Sequence, residues 1–145
     1  MGLSDVKHIK TPTISDGRGK LGFLENKTHI PFDIKRVYYL YDVPKDQDRG
    51  KHAHYELEQV IFALNGSFDI VLDDGKSKKT YHLDSPNSFL VLPKMIWREL
   101  KNFSENAICM VIASMNYSEL DYIRDYNKFL EEANKKANKD DSSNS

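Results

Sequence analysis

Hydrophobic and polar residues alternate in short runs from about residue 19 to residue 114. The runs are rich in β-branched and aromatic residues and are bounded by turn residues, which is typical of short antiparallel strands. Asn65-Gly66 and Asp73-Asp74-Gly75 favour hairpin turns. We predict a polar loop at 42–50 and strands at 34–41, 59–64, 67–72, 80–83, 88–92, 97–100 and 107–113. Such a series predicts an all-β sandwich or jelly roll.

The hydrophobic period changes after Ser118 and Glu119. Apolar residues then recur at helical spacing, at Leu120, Ile123, Tyr126, Leu130 and Ala133. This pattern predicts one amphipathic C-terminal helix. Beyond it, residues 134–145 offer almost nothing apolar to bury, which predicts a disordered polar tail after a single domain at 1–133.

Composition and charge narrow the classes of function. The 145 residues suit one domain, and 21 Lys plus Arg against 22 Asp plus Glu give a formal charge of -1. A chain without a basic excess offers no broad field for nucleic acid. Its one cysteine, Cys109, excludes an intrachain disulfide and a cysteine metal cluster. We see no leader peptide and no apolar stretch near the ~18 residues of a membrane span, so we expect a cytoplasmic protein without a membrane partner.

The most informative motif is His52-Ala53-His54. On a strand, residues two apart point to the same face, so the two imidazoles are expected side by side. Such a pair binds a metal ion or moves protons between neighbouring atoms. The structural alternative is a pair of histidines that only packs in a barrel wall.

The stretch 49–54, with Glu58-Gln59 and Gly66 after it, resembles the first motif of the cupins, which are small β-barrels with a site inside the barrel. The resemblance implies an all-β, cupin-type jelly-roll barrel with one C-terminal α-helix. In metal-binding cupins a second motif supplies a last histidine, and here Arg98 occupies that position. Cupin spacing also puts Gln59 at the acidic ligand's position. Because a guanidinium cannot ligate a cation, we predict no metal and no other cofactor.

Longer stretches resemble one cupin family, the dTDP-4-keto-6-deoxyglucose 3,4-ketoisomerases. The resemblance covers about 16–129 and is carried by the runs 31–39, 49–54, 57–60, 64–66, 72–75, 83–86 and 121–126. It implies an isomerase that moves the keto group of dTDP-4-dehydro-6-deoxy-D-glucose from C4 to C3 through an enediol. The product would be a dTDP-3-dehydro-6-deoxyhexose for 3-amino-3,6-dideoxy sugar biosynthesis. We favour the gluco-configured product, because Arg98 replaces the histidine of some relatives.

This chemistry needs a base that titrates near neutrality and a relay of protons between carbons and oxygens. His52 and His54 suit both tasks, and their division between base and shuttle stays open. A developing enediolate also needs a hydrogen-bond donor, which Tyr38 or Arg98 supplies in this interpretation. Tyr38 shares its strand face with Arg36.

The stretch 16–19, with Glu25 after it, resembles the nucleotide-binding motif of the dTDP-4-dehydrorhamnose 3,5-epimerases. The resemblance implies that Arg18 binds the diphosphate and Glu25 the thymine. Arg36 and Arg98 are further substrate-binding candidates, since planar guanidinium groups suit phosphates. Related enzymes pair through this segment, so we expect a homodimer in which residues 16–25 line the partner's site.

Two other functions remain open at this stage. One is a 3,5-epimerase acting on the same nucleotide sugar, which the His-Ala-His arrangement disfavours. The other is a non-catalytic cupin that only binds a sugar or a nucleotide.

Overall fold

The computed structural model describes residues 2–143, with side chains through residue 139, and consists mainly of strands. In chain order these are β1 (Lys7–Lys10), β2 (Ile14–Asp16), β3 (Gly19–Leu21), β4 (Arg36–Leu40), β5 (Arg49–His54), β6 (Gln59–Asn65), β7 (Phe68–Asp73), β8 (Lys78–Leu83), β9 (Ser88–Leu92), β10 (Trp97–Lys101), β11 (Ile108–Ala113) and β12 (Tyr122–Ile123). Short 3-10 helices lie at Leu3–Asp5 and Glu119–Asp121, and the α-helix α1 spans Tyr126–Ser143. Within this described range, no helix is both long and apolar enough to cross a membrane.

Over residues 2–143 the strands form two five-stranded sheets and one small hairpin. The first sheet has the order β1-β9-β6-β11-β4, the second has the order β12-β5-β10-β7-β8, and β2 pairs with β3. All of these strand pairs are antiparallel. The order of the strands is that of a jelly roll. The two sheets stay separate instead of closing into one hydrogen-bonded barrel.

The hydrophobic core lies between the two sheets. Inward side chains of the first sheet, among them Ile61 and Leu90, pack with Ile70 and Leu100 of the second. All four are at most 4% exposed. Burial of each such side chain contributes roughly 1.5–3 kcal/mol, so this layer holds the sheets together.

The outer face of the first sheet is only partly covered. Ile30 and Phe32 from the N-terminal segment pack on outward residues of β6 and β9. At the edge strand β4, Val37 and Tyr39 remain 51% and 56% exposed. An apolar strip therefore faces solvent on this side of the chain.

Each of the seven predicted strands is present, with ends that differ by at most two residues. The structure adds β1, β2, β3 and β12, and it starts β5 at Arg49, within the predicted loop 42–50. These strands lack a long alternating apolar pattern. β1 is an edge strand with lysine at both ends, which discourages edge-to-edge association and also weakens the hydrophobic signal.

The predicted C-terminal helix is wrong at its start. Leu120 lies in a 3-10 helix and is 92% exposed, whereas Ile123 is buried in β12, opposite Ala53. The α-helix begins only at Tyr126. Helical spacing occurred here by coincidence, because the pairing of β12 with β5 is a tertiary contact that local periodicity does not encode.

The helix also continues to Ser143, through most of the stretch 134–145 that we predicted to be disordered. Ala133 packs beside Gly75 and Met95, and Lys136 and Ala137 follow it along the same partly buried helix face. The packing of Ala133 is a tertiary contact that the composition of the polar stretch does not reveal. Residues 144 and 145 lie outside the described residues.

Candidate active site

A cavity of about 420 Å³ opens between the two sheets. Its walls come from β4, β5, β6, β10 and β11 and from the segment around β12. The lining residues are Tyr38, Leu40, Asp48, Arg49, Gly50, Lys51, His52, Ile61, Arg98, Leu100, Val111, Tyr122 and Arg124. Polar and cationic side chains therefore meet here in an otherwise apolar interior.

The histidine pair lies on one face of β5, as the sequence predicted. The ring centroids of His52 and His54 are 4.8 Å apart and the ring planes are nearly perpendicular. In the pairing of β5 with β10, His52 stands opposite Arg98. Tyr122 of β12 packs on both imidazoles, with centroid distances of 5.0 and 4.5 Å.

A bulge in β5 fixes the orientation of His52. The ladder with β10 shifts register between Arg98 and Glu99, which leaves Lys51 as the extra residue. Gly50 has a φ of 86°, and a Cβ there would lie 2.9 Å from a methyl of Leu100. Only glycine suits this turn, whose carbonyl accepts a hydrogen bond from Nδ1 of His52 at 2.9 Å.

His54 is oriented by Asp121, a residue to which the sequence analysis gave no role. Nδ1 of His54 lies 3.2 Å from Oδ2 of Asp121, and both side chains are buried. The same carboxylate accepts the backbone N–H groups of Glu56 and Leu57 at 2.8 and 3.2 Å. Asp121 follows His54 by 67 positions, so no local spacing connects them. The signal available was the family-like run 121–126, in which Asp121 is the first residue.

These contacts set the tautomer of both rings. Because Nδ1 donates to an oxygen in each case, the neutral ring keeps Nε2 as a free acceptor. Both Nε2 atoms are buried, and neither has a partner among residues 2–139. Burial, and next the positive charge of Arg98, lower the pKa of His52 to about 4 and that of His54 to about 2. Two unprotonated bases therefore stand side by side at neutral pH.

Arg98 is a buried cation without an acidic partner in the described part of the chain. Its guanidinium donates to the carbonyl of Ile96, at 2.9 Å from Nη2, and to Oε1 of Gln59. Burial lowers the pKa of Arg98 to about 10, so the group stays charged at neutral pH. An uncompensated buried charge is costly, which makes this part of the cavity receptive to an anion.

Tyr38 continues this polar chain. Its hydroxyl oxygen accepts a hydrogen bond from Nε2 of Gln59 at 2.7 Å. Burial raises the pKa of Tyr38 above its usual 10, although Arg98 acts in the opposite direction, so the phenol stays protonated. Tyr38 thus presents a neutral O–H group in the cavity wall.

The residues at the metal-ligand positions do not fit a metal ion. Two imidazoles are present, but Arg98 and Gln59 bind each other where the remaining ligands of a metal-binding cupin would stand. Among the described residues, no group of three or more His, Cys, Asp and Glu side chains could hold a metal ion. The chemistry of this donor set is that of an anion-binding, proton-transferring pocket.

The predicted substrate-binding residues divide into two groups. Arg98 lines the cavity, and the Arg36 guanidinium lies 4.9 Å from the centre of the Tyr38 ring. Arg18 is 91% exposed and pairs with Asp16 at 2.9 Å, next to the turn of the β2–β3 hairpin. Neither Arg18 nor Glu25 lines the cavity of its own chain.

The mouth of the cavity carries cations that the sequence analysis left without a site role. Arg49, Lys51 and Arg124 line it. Arg124 lies 4.1 Å from the centre of the Tyr122 ring and makes two hydrogen bonds to Glu119, at 2.6 and 2.9 Å. Arg49 is therefore placed to meet an anionic ligand.

The jelly roll and its histidine-lined cavity define a small cupin-type enzyme, as the motif predicted. Residues 4–134 match the family described as FdtA: WxcM-like, C-terminal, and the chain belongs to this family. A relative from Aneurinibacillus thermoaerophilus, named TDP-4-oxo-6-deoxy-alpha-D-glucose-3,4-oxoisomerase, is 46% identical over 85% of this chain and 88% of its own length.

Solved structures agree with this assignment. A 3,4-ketoisomerase from Helicobacter canadensis is 48% identical, with a TM-score of 0.87 over 90% of this chain and 98% of the other. QdtA from Thermoanaerobacterium thermosaccharolyticum, a 3,4-ketoisomerase solved as a histidine-to-asparagine variant with TDP-4-keto-6-deoxyglucose, is 43% identical. Its TM-score is 0.89, over 92% of this chain and 96% of the other. The resemblance to the ketoisomerases and the cupin-type fold are thereby confirmed.

Proposed function

We propose that this protein is a 3,4-ketoisomerase of dTDP-4-dehydro-6-deoxy-D-glucose that works by histidine-mediated proton transfer. The observation that carries the proposal is the pair of buried Nε2 atoms on β5 that have no partner among residues 2–139. His52 lines the cavity together with the Arg98 cation, and His54 lies directly beside His52. Two adjacent bases suit a reaction that moves protons at two adjacent carbons. The names of the family members support the substrate.

In this mechanism, Nε2 of His52 removes the proton from sugar C3. The C–H electron pair forms the C3–C4 double bond, and the C4 carbonyl becomes an enediolate oxygen that receives hydrogen bonds from Tyr38 and Arg98. O4 then takes up a proton, O3 releases its own, and the double-bond electrons accept a proton at C4. His54 relays protons between the oxygens and carbon. The sum is an isomerisation with no net gain or loss of protons.

The Arg98 cation suits this role because its charge is not used by an acidic residue in the described chain. An enediolate beside Arg98 offsets the positive charge that lowers the pKa of both histidines. The imidazole therefore becomes a stronger base as the intermediate forms, which favours removal of the proton from C3.

The nucleotide requires residues beyond this cavity. Arg36 and Arg98 remain the phosphate-side candidates of the same chain, and Arg18 and Glu25 the candidates supplied by a second copy. The β2–β3 hairpin projects with exposed residues, and an apolar groove beside it is lined by Leu21, Phe23, Val37 and Leu64, among others. Pairing of two chains across this strip in a homodimer would bury it and bring each hairpin to the partner's site.

The gluco-configured product and a place in 3-amino-3,6-dideoxy sugar biosynthesis complete the proposal. A TDP-quinovose 3,4-ketoisomerase from Campylobacter jejuni is 44% identical, whereas a TDP-fucose 3,4-ketoisomerase from the same organism is 38% identical. Quinovose is 6-deoxyglucose, so the higher identity favours the gluco product. A transaminase acting on the new C3 carbonyl would consume it.

Arg18 and Arg98 correspond to two residues that were substituted in QdtA. A QdtA structure with TDP carries one tyrosine-to-arginine and one arginine-to-histidine substitution. The substituted tyrosine lies 34 positions before the histidine that is substituted in the other QdtA variant, and the substituted arginine lies 46 positions after it. Arg18 and Arg98 lie at the same two separations from His52. This chain thus has the variant's arginine at one position and natural QdtA's arginine at the other, which supports a role for both in substrate binding.

The test is to incubate the protein with dTDP-4-dehydro-6-deoxy-D-glucose and to record the product by NMR. We expect the carbonyl group to move from C4 to C3. Inversion at C5 would instead indicate an epimerase, and an RmlC epimerase from Mycobacterium tuberculosis, at 15% identity, shares the fold alone. An unchanged substrate that still binds would indicate a non-catalytic cupin.

A further inference from the structure

Gln59 lies behind the cavity wall and connects two of its functional groups. It is the first residue of β6, it is 1% exposed, and it does not itself line the cavity. Its side chain joins the guanidinium of Arg98 to the hydroxyl of Tyr38. An amide in this place has a direction, because one end accepts hydrogen bonds and the other donates them.

Arg98 determines that direction. A guanidinium only donates hydrogen bonds, so the amide must turn Oε1 towards Arg98 and Nε2 towards Tyr38. The phenol oxygen of Tyr38 is thereby used as an acceptor on its Gln59 side. A phenolic O–H lies near the ring plane on one of two sides, and Gln59 occupies one of them. The proton of Tyr38 is left on the other side, without an acceptor among residues 2–139.

We infer that Gln59 is a positioning residue that holds the Tyr38 hydroxyl as a hydrogen-bond donor aimed at the reacting sugar oxygen. The inference rests on the proposed ketoisomerase function and assigns a role to a residue that contacts no substrate. A carboxylate at this position would reverse the chain, because it accepts from both neighbours. The Tyr38 proton would then point at residue 59 and away from the cavity.

The substitution Gln59→Glu makes this reversal with almost no change in shape. The new carboxylate can pair with Arg98, so the variant is expected to fold. We expect kcat to fall by about 100-fold, the typical effect of losing one donor to a developing oxyanion, while KM changes by less than about threefold. Gln47→Glu is the matched control, because Gln47 is exposed and lies outside the cavity lining. Assays contain EDTA, because Gln59→Glu adds a carboxylate near the histidine pair.

A double-mutant cycle separates this role from a loss of packing. Tyr38→Phe should reduce kcat strongly in the wild-type background but by less than about threefold in the Gln59→Glu background, where the hydroxyl already points away. A wild-type kcat in Gln59→Glu, or a full additional loss in the double variant, would overturn the inference. If Gln59→Glu does not fold, Gln59→Met removes the Nε2 donor without reversing it, and a wild-type kcat there would overturn it equally.

A spectroscopic measurement does not depend on turnover. In protein labelled with ¹³Cζ-tyrosine, the Tyr38 signal is assigned by its loss in Tyr38→Phe. Its chemical shift should move in Gln59→Glu, where the phenol changes from acceptor to donor, and stay in place in Gln47→Glu. An unmoved signal in Gln59→Glu would contradict the assigned direction. Absence of turnover in the wild type would refute the proposed function but leave this result standing.

Discussion

The cavity and the N-terminal hairpin differ in how firmly one chain holds them. In the cavity, Nδ1 of each histidine and the Arg98 guanidinium are held by hydrogen bonds to buried or backbone partners. In the hairpin, Ile14 and Leu21 are exposed, and Arg18 has only Asp16 as its ion-pair partner in the described chain. In the function proposed above, one chain builds the catalytic cavity by itself, and a second copy completes the nucleotide-binding part.

The largest effect is expected at the centre of the cavity. His52→Asn should lower turnover by at least about 10³-fold while nucleotide affinity changes only a few fold, because the imidazole acts in the transition state. Steady-state kinetics and calorimetric titration with TDP measure the two quantities. His54→Asn should slow turnover and block solvent deuterium incorporation at one carbon. His82→Asn, which alters an exposed histidine paired with Asp69, is the control. Wild-type rates in both site variants would show that the pair is structural.

A smaller loss is expected at Asp121, which acts through His54. Asp121→Asn keeps the shape but can turn a donor towards Nδ1 of His54, and this selects the wrong tautomer. We expect kcat to fall roughly 10- to 100-fold with little change in KM. Asp84→Asn, at an exposed position, is the control. A fall in both the unfolding midpoint and the affinity for TDP, without a specific loss of kcat, would point to a purely structural role.

The division between the two regions can be tested by mixing two inactive chains. If the hairpin completes the partner's site, Arg18→Ala mixed with His52→Asn gives mixed dimers with one intact site. Random exchange should then restore on the order of a quarter of wild-type activity. As the control, each variant is taken through the same subunit-exchange procedure alone. Failure of complementation, although native mass spectrometry shows mixed dimers, would mean that each chain builds its whole site.

The pH dependence of kcat/KM tests how the surroundings of His52 lower its pKa. Because the pKa of His52 is lowered to about 4, its neutral form persists well below pH 6.5, and kcat/KM should stay level down to about pH 5. Arg98→Met removes one cause of the lowering, so the acid limb should move upward, towards pH 6.5. Arg124 lowers and Glu119 raises the same pKa, and both remain in the variant. A limb near 6.5 in the wild type would contradict this electrostatic account.

The smallest effect is expected from removal of metal ions. Since Arg98 and Gln59 replace two metal ligands, treatment with EDTA should leave kcat unchanged. Elemental analysis should find no stoichiometric Zn, Fe or Mn. One tightly held metal ion per chain, with activity lost on stripping and regained on addition, would overturn this prediction.

The strand periodicity and the histidine motif predicted the residues of the cavity wall better than the residues that hold them in place. The period of two placed His52 beside His54 and Tyr38 beside Arg36, since strand geometry decides which residues share a face. The pairing of His54 with Asp121 joins residues 67 positions apart, and no local pattern encodes it. The start of α1 was missed for the same reason, because β12 exists only through its pairing with β5.

Movement of the carbonyl group between neighbouring carbons can be followed by NMR of dTDP-4-dehydro-6-deoxy-D-glucose with the wild-type protein in D₂O. We expect a new carbonyl signal at C3, a hydrogen or deuterium newly placed at C4, and complete retention of the hydrogen at C5. Deuterium at C5, or a substrate that binds and stays a 4-keto sugar, would contradict this expectation.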